Sequence, residues 1–416
     1  GVAFVTTLCC LYMAFELTEI VSASLILSYA FGGWEPPWGI AFVVDGANVH
    51  LVLLVAFISV IATVYALTTL EHEIAVEDLP KAYAVWLLTI ASLFGLSMTG
   101  DAFNLFVFLE ISALSSITLI ALGAGQDRRA LLAAYNYLII GAIGATFYVI
   151  GVGYLYAATG TLNLLDIIER LNEIGTNQAA VTGLAFMLAG IMVKAGVFPV
   201  HIWLPAAYSF APSAVSSLLS AIATKVAIYY LARLLFGIFI DTTHLIDLFL
   251  LFVLMPVSVI AIFYGTIAAI YQIDIKRLFA LSSIAQIGYI TFAFSINTHS
   301  GISAGFIHLI NHALIKGALF MAVGIFAIGI GQRATMNSLR GVGRQMPITF
   351  TGFVIAGLAL IGVPLTAGFI SKLYLFKAIF ETGNGIYVAV IAVSSVLSVL
   401  YLWKIFEVMW LQEPLQ

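Results

Sequence analysis

Six residues of this chain are of types that bind and release protons, yet they sit in sequence too apolar to supply water. Glu110 lies in FNLFVFLEISAL, Lys194 in IMVKAGVFP, Lys225 in AIATKVAIYYLAR, and Lys372 closes GVPLTAGFISK. His308 and His312 run with Lys316 through HLINHALIKGALF at four-residue steps, which place all three on one helix face. Burial disfavours the charged form of a lysine and a neighbouring carboxylate restores it, so a Glu–Lys pair is a switch. Separate the partners and the lysine can release its proton. Histidine titrates near neutrality and suits the intermediate positions of a relay. A row of such groups can pass protons through intervening water, each charge biasing the next, without one continuous hydrogen-bonded wire.

The competing explanation is static ion pairing, or lysines that snorkel to an interface. A buried charge in a membrane costs roughly 3 kcal/mol on insertion scales, so several in one bundle must pair or face water. Lys377 and Lys404 lie near helix ends and fit snorkelling. Glu110, Lys194, Lys225 and Lys372 lie too deep for that. For His308 and His312, packing as hydrogen-bonded side chains competes on equal terms with a relay role. Other chemistries find little support: the chain has no P-loop, no GxGxxG before a helix, no CxxC and no HExxH. The spacing of His308 and His312 would suit a metal, but no carboxylate or cysteine accompanies them, and no metal or cofactor is expected. No strong pair of haem ligands is present either. Cys9 and Cys10, the only cysteines, are adjacent in an apolar run and read as ordinary packing residues.

The elements that must hold these residues follow from composition. Of 416 residues 62% are hydrophobic and 9% charged, with mean hydropathy +1.12. A soluble domain is nearer a quarter charged, so this is a polytopic membrane protein. A net charge of −4 provides no basic surface for nucleic acid. Twelve segments can be drawn that are long enough to span, at 2–28, 43–70, 82–99, 102–122, 131–158, 180–208, 213–237, 248–272, 278–296, 301–331, 348–380 and 386–408. GGWEPPWGIAFVVDG (32–46) is too short and proline-rich for a helix and reads as a surface turn or short hairpin. There is no initiator methionine or signal-peptide pattern, and a trimmed chain lacking one or more helices is expected.

One set of connections carries Lys81, Arg128, Arg129, Lys276, Arg277, Arg333, Arg340 and Arg344. The alternate set carries Asp166, Glu169, Glu173, Asp241 and Asp247, with Arg170 the exception. The basic set is therefore expected on the cytoplasmic side, with both observed ends. The acidic loop EHEIAVEDLPK (71–81) is the discordant element. Two segments are too long and too interrupted for straight spans. The first contains Pro199 and Pro205, which should break or kink it; the second contains Pro364 and Gly368. Each carries a lysine, Lys194 or Lys372, and they lie in opposite halves of the chain. Such a pair points to repeats built around discontinuous helices, with an ion path where they meet. The expected fold is an all-α transmembrane bundle: N-terminal helices and hairpin over 1–81, one repeat over 82–237 and another over 248–408.

TGDAFNLFVFLE (99–110), VKAGVFPVHIWLPAAYSFAPSAVSSLLSA (193–221), DIKRLFALSSIAQIGY (274–289), HLINHALIKGALF and GVPLTAGFISK together resemble the antiporter-like, proton-conducting membrane subunits. These occur in Mrp-type multisubunit cation/proton antiporters, membrane-bound hydrogenases and respiratory complex I. The hairpin stretch and GYLYAATGTLNLLDI (153–167) resemble the Mrp D-type subunit most. The resemblance implies about fourteen helices with two inverted five-helix repeats, so that one helix is missing here at each end. It implies Glu110 as the carboxylate partner of Lys194, Lys225 as central relay lysine, His308 and His312 as its continuation, and Lys372 as terminal lysine. Some relatives have glutamate at that last position. Asp274, Lys276 and Arg277 match a loop motif of structural role. A histidine often stands where this chain has Gln286, which puts a relay role there in doubt. His201 either lines the path or hydrogen-bonds carbonyls freed by the break.

The reading that follows is a proton-translocating subunit of a Na⁺ or other cation/proton antiporter, in a prokaryotic plasma membrane with other membrane subunits as partners. The alternative is the pump arm of a redox complex, a hydrogenase or quinone oxidoreductase, with redox centres in partner chains. A self-sufficient solute carrier explains the scattered lysines less well.

Overall fold

The computed structural model describes residues 1–24, 26–175, 177–238 and 243–414; Asp241 of the acidic loops lies outside them. Helix α1 (Val2–Ser24) leads into a two-stranded antiparallel hairpin, β1 (Ile26–Ala30) and β2 (Ala41–Asp45). Then come α2 (Val49–Glu73), α3 (Leu79–Met98), α4 (Ala102–Ala121), α5 (Arg129–Thr159) and the short α6 (Leu164–Ile174). The first broken span is α7 (Gln178–Ala195) plus α8 (Trp203–Phe210). It is followed by α9 (Ser213–Leu218), a π-helical turn at Leu219–Ala223, and α10 (Thr224–Arg233). Next are α11 (Thr243–Phe249), α12 (Met255–Ile270), α13 (Ile275–Ser295), α14 (His299–Ile330) and the single turn α15 (Val342–Gln345). The second broken span is α16 (Pro347–Ile361) plus α17 (Ala367–Glu381), and α18 (Ile386–Phe406) closes the bundle.

Among the described residues, eleven helices are long and apolar enough to cross a membrane. The twelfth expected segment is present as α16 and α17, each too short to span alone. The fold is thus a helical polytopic bundle with two discontinuous helices and one short β-hairpin. The hairpin is longer than the sequence suggested: its strands take residues 26–28 from the first expected span and 43–45 from the second. Edge pairing explains the difference, because β2 bonds onward to the α3–α4 turn through Gly100 N–H and Ala41 O at 2.9 Å. That turn in turn bonds the entry to α6, with Ala102 N–H donating to Leu162 O and Leu164 N–H to Gly100 O. Asn163 caps α6 by accepting from the N–H groups of Leu165 and Asp166, and α6 buries Leu164, Ile167 and Leu171.

On the opposite face the basic connections meet. Arg333 pairs with Asp127 at 2.8 Å and with Asp274 at 2.7 Å, and Lys276 donates to Ala211 O at 3.1 Å. One acid of the discordant loop has its role here. Glu73 accepts from both the N–H and the hydroxyl of Ser213, each at 2.7 Å, and so caps the start of α9 from a distant helix. The bundle surface exposes apolar side chains, as on α5, where Leu132, Ile139, Ile143, Phe147 and Tyr154 face outward. The interior is not purely apolar: Lys194, Lys225, His308, His312, Lys316 and Lys372 are all buried.

Candidate functional site

Each break is closed by local chemistry. Helix α7 ends at Gly196, whose φ of 68° is the left-handed conformation a C-terminal cap needs. Val197 N–H returns to Met192 O, and the Trp203 indole N–H takes Val193 O at 2.9 Å. Val193 O thus accepts twice, from Gly196 N–H within the cap and from Trp203 across the break. His201 takes no part in that closure: it is buried, stacks on Phe198, meets Tyr264 at a tilt, and its Nδ1 has no hydrogen-bond partner among the described residues. Pro199 lies in the break, but Pro205 does not interrupt a helix. It sits in the first turn of α8, where a missing N–H costs nothing. The second break is capped by Gly362 at φ 86°, and the next helix opens on Thr366, whose side chain accepts from Phe369 N–H.

Lys194 stands at the last turn before the first break, 8% exposed. Its Nζ donates to the Tyr137 hydroxyl at 3.0 Å. Glu110 and Lys194 line one cleft of about 10 Å³ with Tyr137, Gly141 and Gly190, and no direct ion pair joins them among the described residues. Tyr137 occupies the amine in their place. The contact is set by small residues: Gly151 and Gly183 face each other across α5 and α7, and a Cβ on Gly190 would lie 2.4 Å from Gly144 O.

Lys225 is fully buried, donates to Ser220 O and lies 3.4 Å from Thr224 Oγ1. The carbonyl belongs to the π-helical turn, where regular pairing is relaxed. Lys316 is also fully buried and donates to Phe279 O at 2.9 Å and to Ser282. Sequence spacing put Lys316 on the histidine face, but its depth is a tertiary finding that adds it to the set. Lys225, at the start of α10, and His308, His312 and Lys316, on α14, lie on helices that pack against each other. Among the described residues His312 has a partner on neither ring nitrogen, and its ring is parallel to that of His308 at 6.3 Å.

His308 is held at both ends. Nε2 is 2.9 Å from Gln286 Oε1, and Nδ1 is 2.8 Å from Ser371 Oγ. Ser371 also faces Gly368 O at 3.0 Å, so its one hydroxyl proton has two competing acceptors when the ring is neutral. Protonating Nδ1 removes the competition: the ring donates to Ser371, and Ser371 donates to Gly368 O. The site can therefore hold His308 in either charge state. Gln286 accepts from the ring and orients it. The next residue, Lys372, donates to Ile361 O at 2.7 Å and to Ser395 Oγ at 2.8 Å. It stands 5.0 Å from the centre of the Tyr289 ring. Lys377 and Lys404 are exposed, as the snorkelling reading expects.

The arrangement brings together lysines and histidines across α7, α10, α14 and α17, and places Glu110 beside the first of them. On the basic face a surface cavity of about 320 Å³ is lined by Glu73, Asp127, Ser209, Lys276 and Arg333. A multi-helix membrane protein with broken spans and a buried row of protonatable groups belongs to the class of ion-translocating membrane subunits. The family model for the transmembrane region of NADH:quinone oxidoreductase and Mrp antiporters matches residues 99–398, and the chain belongs to that family. It is 40% identical over 379 residues to NADH-quinone oxidoreductase subunit N of Desulforudis audaxviator, covering 91% of this chain and 74% of the relative. It is 30% identical over 391 residues to the D-type Na(+)/H(+) antiporter subunit of Bacillus subtilis, covering 94% and 77%. Among solved structures, a chain of the membrane-bound sulfane sulfur reductase, an archaeal respiratory complex, superposes with a TM-score of 0.89 at 32% identity, covering 98% of this chain and 82% of that one. A chain of the Mrp complex from Dietzia sp. superposes at 0.90 with 27% identity, covering 100% and 75%.

Proposed function

We propose that this chain is the proton-translocating, D-type subunit of a multisubunit cation/proton antiporter in the plasma membrane of a prokaryote, with Na⁺ as the exchanged cation. Protons pass along Glu110, Lys194, Lys225, His308, His312 and Lys372, joined by Lys316. The repeats over 82–237 and 248–408 each contribute one broken helix to the path. The observation that carries this reading is that Glu110 and Lys194 share one small cleft at a helix break without being paired. A lysine held there by a neutral hydroxyl is poised between two partners, and moving it onto Glu110 changes its affinity for a proton. Partner subunits are supported by α1, which exposes Glu16 and Glu19 within a spanning helix. A carboxylate facing lipid costs roughly 3 kcal/mol, which a neighbouring subunit's polar groups would offset.

A second reading is favoured by the 40% relative and by the respiratory structure: the same path serving as the pump arm of a redox complex. Proton flux into vesicles carrying the whole assembly separates the two. A Na⁺ gradient alone drives flux in an antiporter; a pump arm stays silent until an electron donor and acceptor are supplied. In either case Glu110→Gln or Lys194→Met should abolish flux while the assembly remains intact. Flux near the wild-type rate in either variant would sink the pair-switch reading.

A further inference from the structure

The buried lysines and histidines do not by themselves explain how a proton leaves Lys194 for Lys225, which sit on different helices. An aromatic cluster lies beside the first break. Tyr137 stacks on Trp203 with ring centres 4.2 Å apart and planes 10° from parallel, and Trp203 meets Tyr208 edge-on. All three are at most 2% exposed. Trp203 is pinned by its bond to Val193 O, so both phenols pack against a fixed ring, Tyr137 on its face and Tyr208 edge-on. The Tyr137 hydroxyl accepts from Lys194. The Tyr208 hydroxyl donates to Leu219 O at 3.1 Å, the first carbonyl of the π-helical turn. Thr224 follows that turn directly, at the start of α10. Thr224 Oγ1 is in turn 3.4 Å from Lys225 Nζ.

We infer that Tyr137, Tyr208 and Thr224 are the proton carriers that join Lys194 to Lys225. This rests on the proton-path reading above and extends it. In each passage an N–H bond of the Lys194 ammonium breaks and an O–H bond forms at Tyr137. Tyr137 releases its own hydroxyl proton to a water molecule between the phenols, and that water passes one to Tyr208. Tyr208 and Thr224 repeat the exchange, and the final proton bonds to the neutral amine of Lys225. Every hydroxyl ends with the proton count it began with. Leu219 O is the resting acceptor of Tyr208, so rotation of that hydroxyl toward Thr224 is the step that opens the link.

Tyr137→Phe and Tyr208→Phe each remove one oxygen and keep the ring that stacks on Trp203. In vesicles carrying the intact assembly, each should slow proton flux at least roughly a hundredfold, the lower end for loss of a positioned proton carrier. The double variant should be no slower than the slower single one, because the two act in one line. The solvent deuterium effect should rise in both, since proton transfer then limits the rate; a change in packing alone would leave it unmoved. Tyr154→Phe, at a lipid-facing phenol, serves as the control and should keep the wild-type rate. If Tyr137→Phe does not assemble, Tyr208→Phe decides the matter alone. Wild-type flux in the Phe variants beside an inactive Glu110→Gln overturns the hydroxyl link and leaves the proton path standing. Multiplying losses in the double variant also overturn the link. No flux in the wild-type assembly under either driving force overturns the path itself.

Discussion

Lys372 and Lys377 occupy the same helix and differ in their surroundings. Lys372 is 4% exposed, and its amine spans the second break by bonding Ile361 O and Ser395. Lys377 is exposed on the bundle surface, where a flexible stem can carry its amine to the interface. Lys372→Met should therefore stop proton flux, whereas Lys377→Met should leave it within about twofold, as expected for a solvated surface charge. Flux through reconstituted vesicles ranks the two, and the reverse order would move the terminal group of the path. At this scale much was legible beforehand, because a charge in an apolar run is costly and its presence asks for a reason. Tyr137 was not legible. Tyrosine is common in this chain, at 18 residues, and one that bonds a buried lysine looks in sequence like any other. Gln286 was legible only as a position of doubt, and its bond to His308 makes it an orienting group.

Among the elements, the two broken spans carry the design, and close helix contacts hold them. A Cβ on Gly368 would lie 1.8 Å from Ala359 O, so α16 and α17 can approach as they do only with glycine there. Gly368→Ala should destabilise the assembly by about 1–3 kcal/mol through overpacking, and should displace the turn that presents Ser371 and Lys372. Gly352 on α16 has nothing within 4 Å of its Cβ position, so Gly352→Ala is the matched control. Thermal unfolding of the detergent-solubilised assembly compares them; equal melting temperatures would show that the contact yields without cost. Prolines marked both breaks in the sequence, but proline alone did not locate them. Pro205 is accommodated inside α8, and the ends of α7 and α16 fall at glycines with positive φ. The hairpin was underestimated for a related reason. Strand residues such as Ile26, Leu27, Val43 and Val44 are as apolar as a spanning helix, and only pairing with a partner strand distinguishes them.

For the molecule as a whole, the basic face joins the two halves through charge. Arg333 ties Asp127, before α5, to Asp274, before α13. The Asp127 carboxyl is lowered from its ordinary 3.8 to about 2, first by its hydrogen bond to the Arg129 side chain and further by Arg333. A depressed value in the fold means that the contribution to stability is complete above pH 4. It is lost as pH falls from about 4 through about 2. Acid titration of the melting temperature should show this loss, and Arg129→Ala should move it upward toward pH 4. An unchanged acid limb in that variant would mean that Asp127 is not held by this pair.

The sequence by itself determined that the chain spans a membrane many times, which two of its spans are interrupted, and which side chains are too deep to be ornamental. Those conclusions need only the cost of placing charge and proline in an apolar helix, and that cost is local. Tertiary structure alone decided which groups meet. It put Tyr137, not Glu110, on Lys194, buried Lys316 with the histidines, used Glu73 to cap α9, and packed Trp203 against two phenols. Contacts of that kind depend on how far one helix slides and turns against another. Small residues at the seams set that adjustment, and no residue's own propensity records it.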